Sequence, residues 1–185
     1  MSGPVIRSEH ILLRPLVLSD AIHFANLLGP DPVGTRMTSS IPCPCTEDAA
    51  RNWIGRRIVP GALGRSFAII HGEHGKFLGT IAFGGIPEIG IGYWVGRPYR
   101  AHGYATEAVQ LLLGYIAGLG ISRIVSETLP DNPASARVLS KAGFEFLGKK
   151  VRDFPMPGGL CEVERYTVEL VARPCQLIRW KMMRG

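Results

Sequence analysis

No stretch of this 185-residue chain stays apolar for the ~18–20 residues that a membrane-spanning helix requires. The opening MSGPVIRSEH lacks the apolar core of a secretory leader, so the expected compartment is the cytoplasm. Charge is sparse at 19%, against 46% hydrophobic residues, which excludes a disordered chain. Cysteine is sparse too. Cys43, Cys45, Cys161 and Cys175 are expected to be reduced, and a C-x-C pair around Pro44 with two distant thiols fits no zinc template. His71 and His74 flank a turn and read as solvated; no metal is expected. Two nucleotide signatures are also missing: there is no G-x-x-x-x-G-K-[ST], and Gly90, Gly92 and Gly96 have the wrong spacing for G-x-G-x-x-G. Repeats and low-complexity linkers are absent. The chain therefore reads as one domain over residues 1–174 with a tail over residues 175–185. That tail mixes Leu177, Ile178 and Trp180 with Arg179, Lys181 and Arg184, which would suit docking on the body or on a second subunit in a homodimer. Fraying is the default for a terminus.

Acidic residues are the scarcer sign, 15 against 21 Lys and Arg, for a net charge of +6. Such an excess favours anionic partners. The basic residues are scattered and no helix-turn-helix, RRM or finger pattern appears, so nucleic acid is not expected as the main partner. No membrane partner is expected either.

What is present centres on residues 88–106. Ile89, Ile91, Tyr93 and Val95 alternate with Glu88, Gly90, Gly92 and Trp94, the period of a strand. Glycines on one face of a strand mark a bulge or the close approach of a backbone or ligand. Pro98 stops the ladder and is expected to keep Arg97 extended. Ala105, Ala108, Val109, Leu112, Ile116 and Leu119 then recur at helical spacing. A strand, a short glycine-containing loop and a helix N-terminus present unpaired N–H groups and the positive end of a dipole, a site for phosphate. Gly103 and Ala105 leave that loop uncovered, and Arg100 or Arg97 can add charge-assisted bonds. An ordinary tight connection would leave the same trace.

The flanking segments complete a coarse outline. Glu9 to Leu16 reads as a first strand, and Ser19 or Asp20 can cap a helix through Leu28. Residues 29–44 read as a loop, and Thr46 starts a helix to about Val59. Ser66 to Ile70 and Lys76 to Gly84 form a hairpin, and Ile124 to Thr128 a short buried strand. Asn132 caps a helix with Pro133 at its first position, and Gly143 ends it. Glu145 to Val151 and Cys161 to Val171 read as a closing strand pair.

Arg100-Ala101-His102-Gly103-Tyr104-Ala105 resembles the R/Q-x-x-G-x-G/A motif of the GNAT superfamily of acetyl-CoA-dependent N-acetyltransferases. The likeness extends through Ile91-Gly92-Tyr93-Trp94-Val95, residues 131–139 and Lys141-Ala142-Gly143-Phe144 to the N-terminal Leu12-Leu13-Arg14-Pro15-Leu16 with Asp20. It covers most of Ile11 to Leu170 and is nearest to the branch of ribosomal-protein N-terminal acetyltransferases. The resemblance implies an α/β (α+β) fold: a mixed central sheet of six or seven strands, splayed at the middle, with helices on both faces. Acetyl-CoA would be the co-substrate. Its diphosphate would sit on Arg100, Ala101, His102, Gly103, Tyr104, Ala105 and Thr106, and its pantetheine arm between Tyr93-Trp94-Val95 and the strand at Ile124.

The same resemblance assigns the chemistry. Asn132 either only caps its helix or also bonds the pantetheine. Ser135 either protonates the leaving thiolate, as proposed in that branch, or merely serves the backbone of a first helical turn. A main-chain N–H near Trp94 or Val95 would hold the oxyanion. Glu88 is the candidate base, through water, with a solvated strand-end carboxylate as the alternative. Two departures stand out: the usual glutamate aligns with Gly90, two residues after Glu88, and the usual tyrosine acid is Leu139. The segment Arg36 to Thr46 is the candidate acceptor side. An α-amine, titrating near ~7.7–8.0, needs less help from a base than lysine near ~10.4. The expected acceptor is a peptide N-terminus or a small-molecule amine. An acyl-CoA-binding protein without turnover is the alternative.

Overall fold

The computed structural model describes residues 4–38, 40–58, 64–85, 87–154 and 159–171. Its sheet has eight strands in the order β1-β2-β3-β4-β5-β6-β8-β7. These are β1 (Ile6–Arg7), β2 (Ile11–Pro15), β3 (Arg65–His71), β4 (Phe77–Gly84), β5 (Gly90–Val95), β6 (Arg123–Thr128), β7 (Glu145–Phe154) and β8 (Gly159–Glu169). The helices are α1 (Ala21–Leu28), α2 (Pro32–Arg36), α3 (Glu47–Gly55), α4 (Tyr104–Gly118) and α5 (Pro133–Lys141). Neighbouring strands are antiparallel except β5 and β6, which are parallel.

Helices cover both faces, so strand residues of both parities are buried. In β3, Phe67 and Ile69 pack with Val109, Leu112 and Ile116 of α4, while Ala68 and Ile70 pack with Phe24 of α1 and Trp53 of α3. The same rule buries Trp94 of β5 on the α1–α3 side and Ile91 and Val95 on the α4 side. Leu112 and Ile116 are wholly buried, each stabilising the domain by about 1.5–3 kcal/mol. Helix α4 stops at Gly118, and Leu119 is half exposed beyond it instead of continuing the apolar stripe.

Several expectations change here. The sheet has eight strands because Ile6 pairs with Leu13 ahead of the first strand read from the sequence. Residues 29–44 hold a short helix, α2, capped by the Asp31 side chain on Gly34 N at 2.9 Å and started by Pro32. Asp20 does not cap α1. Its carboxylate, almost wholly buried, takes Arg14 Nη1 and Nη2 at 2.8 and 2.6 Å and Val17 N at 2.9 Å. Helix α3 is capped by Thr46 as expected but ends at Gly55. Strand β5 begins at Gly90, and Arg97 enters a 3-10 turn, Arg97–Tyr99, instead of staying extended. Asn132, Pro133 and Gly143 (φ 91°) delimit α5 as read. The domain boundary at 174 and the tail lie outside the described residues. No helix among those residues is long and apolar enough to cross a membrane.

Candidate active site

Parallel strands β5 and β6 touch only at one end. Gly90 pairs with Val125, Val125 N donates to Ile89 O at 3.0 Å, and Ser126 Oγ donates to Ile91 O at 3.2 Å. Further along, β5 pairs with β4 and β6 with β8, and the two part company. The parting opens into a cleft of about 1630 Å3 bordered by β5, the bend after it, and the start of α5.

That bend carries two left-handed residues two positions apart, Ala101 (φ 65°) and Gly103 (φ 88°). Left-handed turns direct successive main-chain N–H groups to one side. No side chain caps α4 at Gly103, so its first amides keep their donors. A Cβ built on Gly103 would meet no atom within 4 Å, so open space lies in front of this cradle. Tyr104, Ala105 and Thr106 border the same cleft. His102 braces the bend from outside: Nδ1 is 2.8 Å from Arg100 O, and the exposed ring stacks on Tyr104.

The Arg100 side chain turns away from the amides. It bonds Asp31 and donates from Nε to Val95 O at 3.0 Å. Asp31 is buried and tied to α2, so α2 is fastened to the bend. Gly34 permits this approach, since a Cβ there would collide with the Asp31 carboxylate and the Arg100 guanidinium. At the other end of α2, Arg36 pairs with Asp131, beside Asn132. The segment expected on the acceptor side borders the cleft through Arg36, Met37, Thr38, Ser40 and Ile41.

On α5, Asn132 Oδ1 accepts from Ser135 N at 3.1 Å, so its oxygen is used as the cap and its NH2 group remains for a ligand. Ser135 Oγ lies 2.8 Å from the Tyr93 hydroxyl, which also donates to Ser135 O at 3.1 Å. Tyr93 thus joins β5 to α5 across the parting. Burial pushes its phenol up to about 12, partly countered by the Ser135 bond. Sequence reading named both residues but missed their pairing, which spans 42 positions and leaves no local trace.

Trp94 is buried against Phe24, its indole N–H unpartnered, and Val95 is buried beside it. Glu88 stands ahead of β5, not on it. Arg165 Nη2 binds its carboxylate at 2.6 Å, and Arg165 Nε reaches Glu127 at 3.4 Å. Leu139 is wholly buried in the α4-side core and offers no acid. Burial raises the Cys45 thiol to about 11, with Cys43 adding to it, while Cys43 is exposed. Among the described residues no group of three or more His, Cys, Asp or Glu is placed to hold a metal ion.

An open mixed sheet, parted at its one parallel pair and facing an uncapped helix, is the architecture these residues define. The chain matches the Acetyltransferase (GNAT) domain family over residues 10–145 and belongs to that family of acetyltransferases. It is 29% identical over 173 residues to the uncharacterized N-acetyltransferase p20 of Bacillus licheniformis, covering 90% of this chain and 95% of that one. Its fold is shared with a GNAT-family acetyltransferase from Bacillus anthracis, with a TM-score of 0.78 at 24% identity over 90% of this chain and 98% of that one. It is likewise shared with RimL, a ribosomal L7/L12 alpha-N-protein acetyltransferase solved with coenzyme A: TM-score 0.79, 21% identity, 92% of this chain and 100% of that one. The likeness to the ribosomal-protein branch is therefore met in the fold.

Proposed function

We propose that the protein transfers the acetyl group of acetyl-CoA to a primary amine, with the α-amine of a peptide or protein N-terminus as the acceptor. The observation that carries this reading is the bend from Arg100 to Thr106, where two left-handed residues and an uncapped α4 aim free amides into open space beside parted strands. Main-chain donors of this kind suit a diphosphate. When bound, acetyl-CoA supplies the activated thioester. The β5 edge from Tyr93 to Val95 has no partner strand on the cleft side, which leaves main-chain groups for a pantetheine arm and an N–H at Trp94 or Val95 for the developing oxyanion. The Asn132 NH2 group is free to hold the arm.

Transfer exchanges a C–S bond for a C–N bond, so one proton must leave the amine and one must reach the sulfur. Ser135 is the proposed acid, with Tyr93 as its positioning residue and proton partner. Glu88 is the proposed base, acting through water on an amine that titrates near ~7.7–8.0. Such a reaction belongs where acetyl-CoA is made available, in the cytoplasm. A second reading, coenzyme binding without turnover, draws on the Glu88–Arg165 pair and on Leu139.

Thiol release from acetyl-CoA over a panel of peptides, polyamines and aminoglycosides, with mass spectrometry of the products, separates the two. Acetylation at a peptide α-amine is the expected result. Coenzyme binding with no acceptor turned over selects the second reading, and fast lysine acetylation beside a silent N-terminus reverses the choice of amine.

A further inference from the structure

The cleft continues past the parted strands into a shallower hollow of about 630 Å3. Its floor is bare. Cross-strand pairs Ala82 with Gly92 and Gly84 with Gly90 set small residues side by side, and a Cβ built on Gly92 would meet no atom within 4 Å. Such a floor lets an extended chain lie with its backbone close to the sheet. Arg57, Ala82, Gly84, Gly90, Ile91 and Gly92 line both hollows, so a chain on this floor leads into the cleft at β5.

The walls carry Arg56, Arg57 and Arg65, and no lining residue is acidic. None of the three forms an ion pair among the described residues. All 15 Asp and Glu side chains of the chain fall within those residues. Of the arginines that line the main cleft, Arg36, Arg100 and Arg152 each face a carboxylate, and among the described residues Arg57 and Arg137 do not. Arg57 is also held in place: it stacks 3.7 Å above the Trp53 ring and donates to Ser40 Oγ at 3.0 Å, while Trp53 Nε1 donates to Ser40 O at 2.7 Å. A stacked guanidinium keeps edge N–H groups for a carboxylate fork. Burial lowers this guanidinium to about 10 and the Arg56 charge adds to the effect, as for a cation short of an anion.

We infer that this hollow receives an acidic acceptor peptide, whose amine enters the cleft over Gly90 and Gly92 while carboxylates a few residues on meet Arg57, Arg56 and Arg65. The inference rests on the transfer reaction proposed above and names its acceptor class. Nucleic acid is the weaker occupant. Arg57 already covers the Trp53 ring, and Phe83, the one aromatic on the floor among the described residues, is buried, so these residues offer no face to bases.

The test uses peptides that share their first two residues and continue with acidic, neutral or basic residues. Acetyl transfer is measured for each, and binding of the same peptides to the coenzyme-loaded protein is read by fluorescence anisotropy. The acidic peptide should lead the neutral one by about tenfold in kcat/KM, less as salt is raised. Arg57→Gln, and separately the double variant R56A/R65A at two exposed positions whose side chains make no ion pair among the described residues, should bring that ratio toward about 1, and R57E should move the preference to the basic peptide. Equal kcat/KM across all peptides overturns the inference and leaves the transfer reaction standing. Arginine-dependent binding of the acidic peptide without transfer to any peptide supports the hollow and overturns the transfer reading. Absence of both binding and transfer, or a single-stranded oligonucleotide that outcompetes the acidic peptide, overturns the inference.

Discussion

Valine at Gly103 puts two separable loads on the bend. The first is strain: Gly103 has φ 88°, where a non-glycine residue costs roughly 1–2 kcal/mol and a β-branched one falls at the upper end. Because a Cβ there meets no protein atom within 4 Å, no clash inside the fold adds to it. About 2 kcal/mol in a domain of this size lowers Tm by about 4–8 °C. The second load falls on the ligand alone. The new side chain would fill the space that the free amides of α4 face. Two charge-assisted bonds lost at about 1.5–3 kcal/mol each raise Kd at least about 100-fold. Gly103→Ala carries most of the strain with less bulk, so its Tm should fall almost as far and its Kd rise less. Calorimetric titration with coenzyme A and thermal melts read the two loads independently. A folded Gly103→Val protein with the wild-type Kd would refute the reasoning.

Ser135→Ala should lower kcat on the order of 100-fold with little change in KM for acetyl-CoA; wild-type turnover would remove the acid from Ser135. Tyr93→Phe should lower kcat less, roughly tenfold, and cost about 1–2 kcal/mol of stability through the two hydrogen bonds to Ser135. The same variant carries a pH signature. Folded Tyr93 holds its proton up to about 12, against 10.0 when unfolded, so its contribution is complete below about pH 10 and is lost as the pH rises toward 12. That loss, roughly 2–3 kcal/mol when complete and about half of that by pH 11, should vanish in Tyr93→Phe when melts are compared from about pH 8 to 11; parallel slopes would contradict it. Asp20→Ala strands Arg14 and Val17 N and should cost about 3 kcal/mol in urea unfolding, whereas a loss under about 1 kcal/mol would mean that the pair is solvated.

Much of the framework was legible because its signals are local. The 3.6-residue stripe of α4, the Asn132-Pro133 start and Gly143 end of α5, and the hairpin at residues 72–75 each lie within a few positions in sequence. The cap-then-proline pattern that marked α5 also stands at Asp31-Pro32, and applied there it would have found α2 inside its glycine- and proline-rich surroundings. Side-chain partners were not legible. Arg100 read as charge for the phosphate, yet Asp31, 69 positions away, takes its guanidinium. Glu88 read as a strand residue, yet the ladder starts at Gly90, and Arg165, 77 positions away, binds its carboxylate. Long-range ion pairs are set by how the sheet is stacked, and no spacing rule in the chain encodes them.

The most direct measurement is a crystal structure with coenzyme A bound. The diphosphate should rest on the main-chain amides between Arg100 and Thr106, with the arm entering between β5 and β6. Coenzyme bound at any other surface, or that bend closed over by its own side chains in the complex, would contradict it.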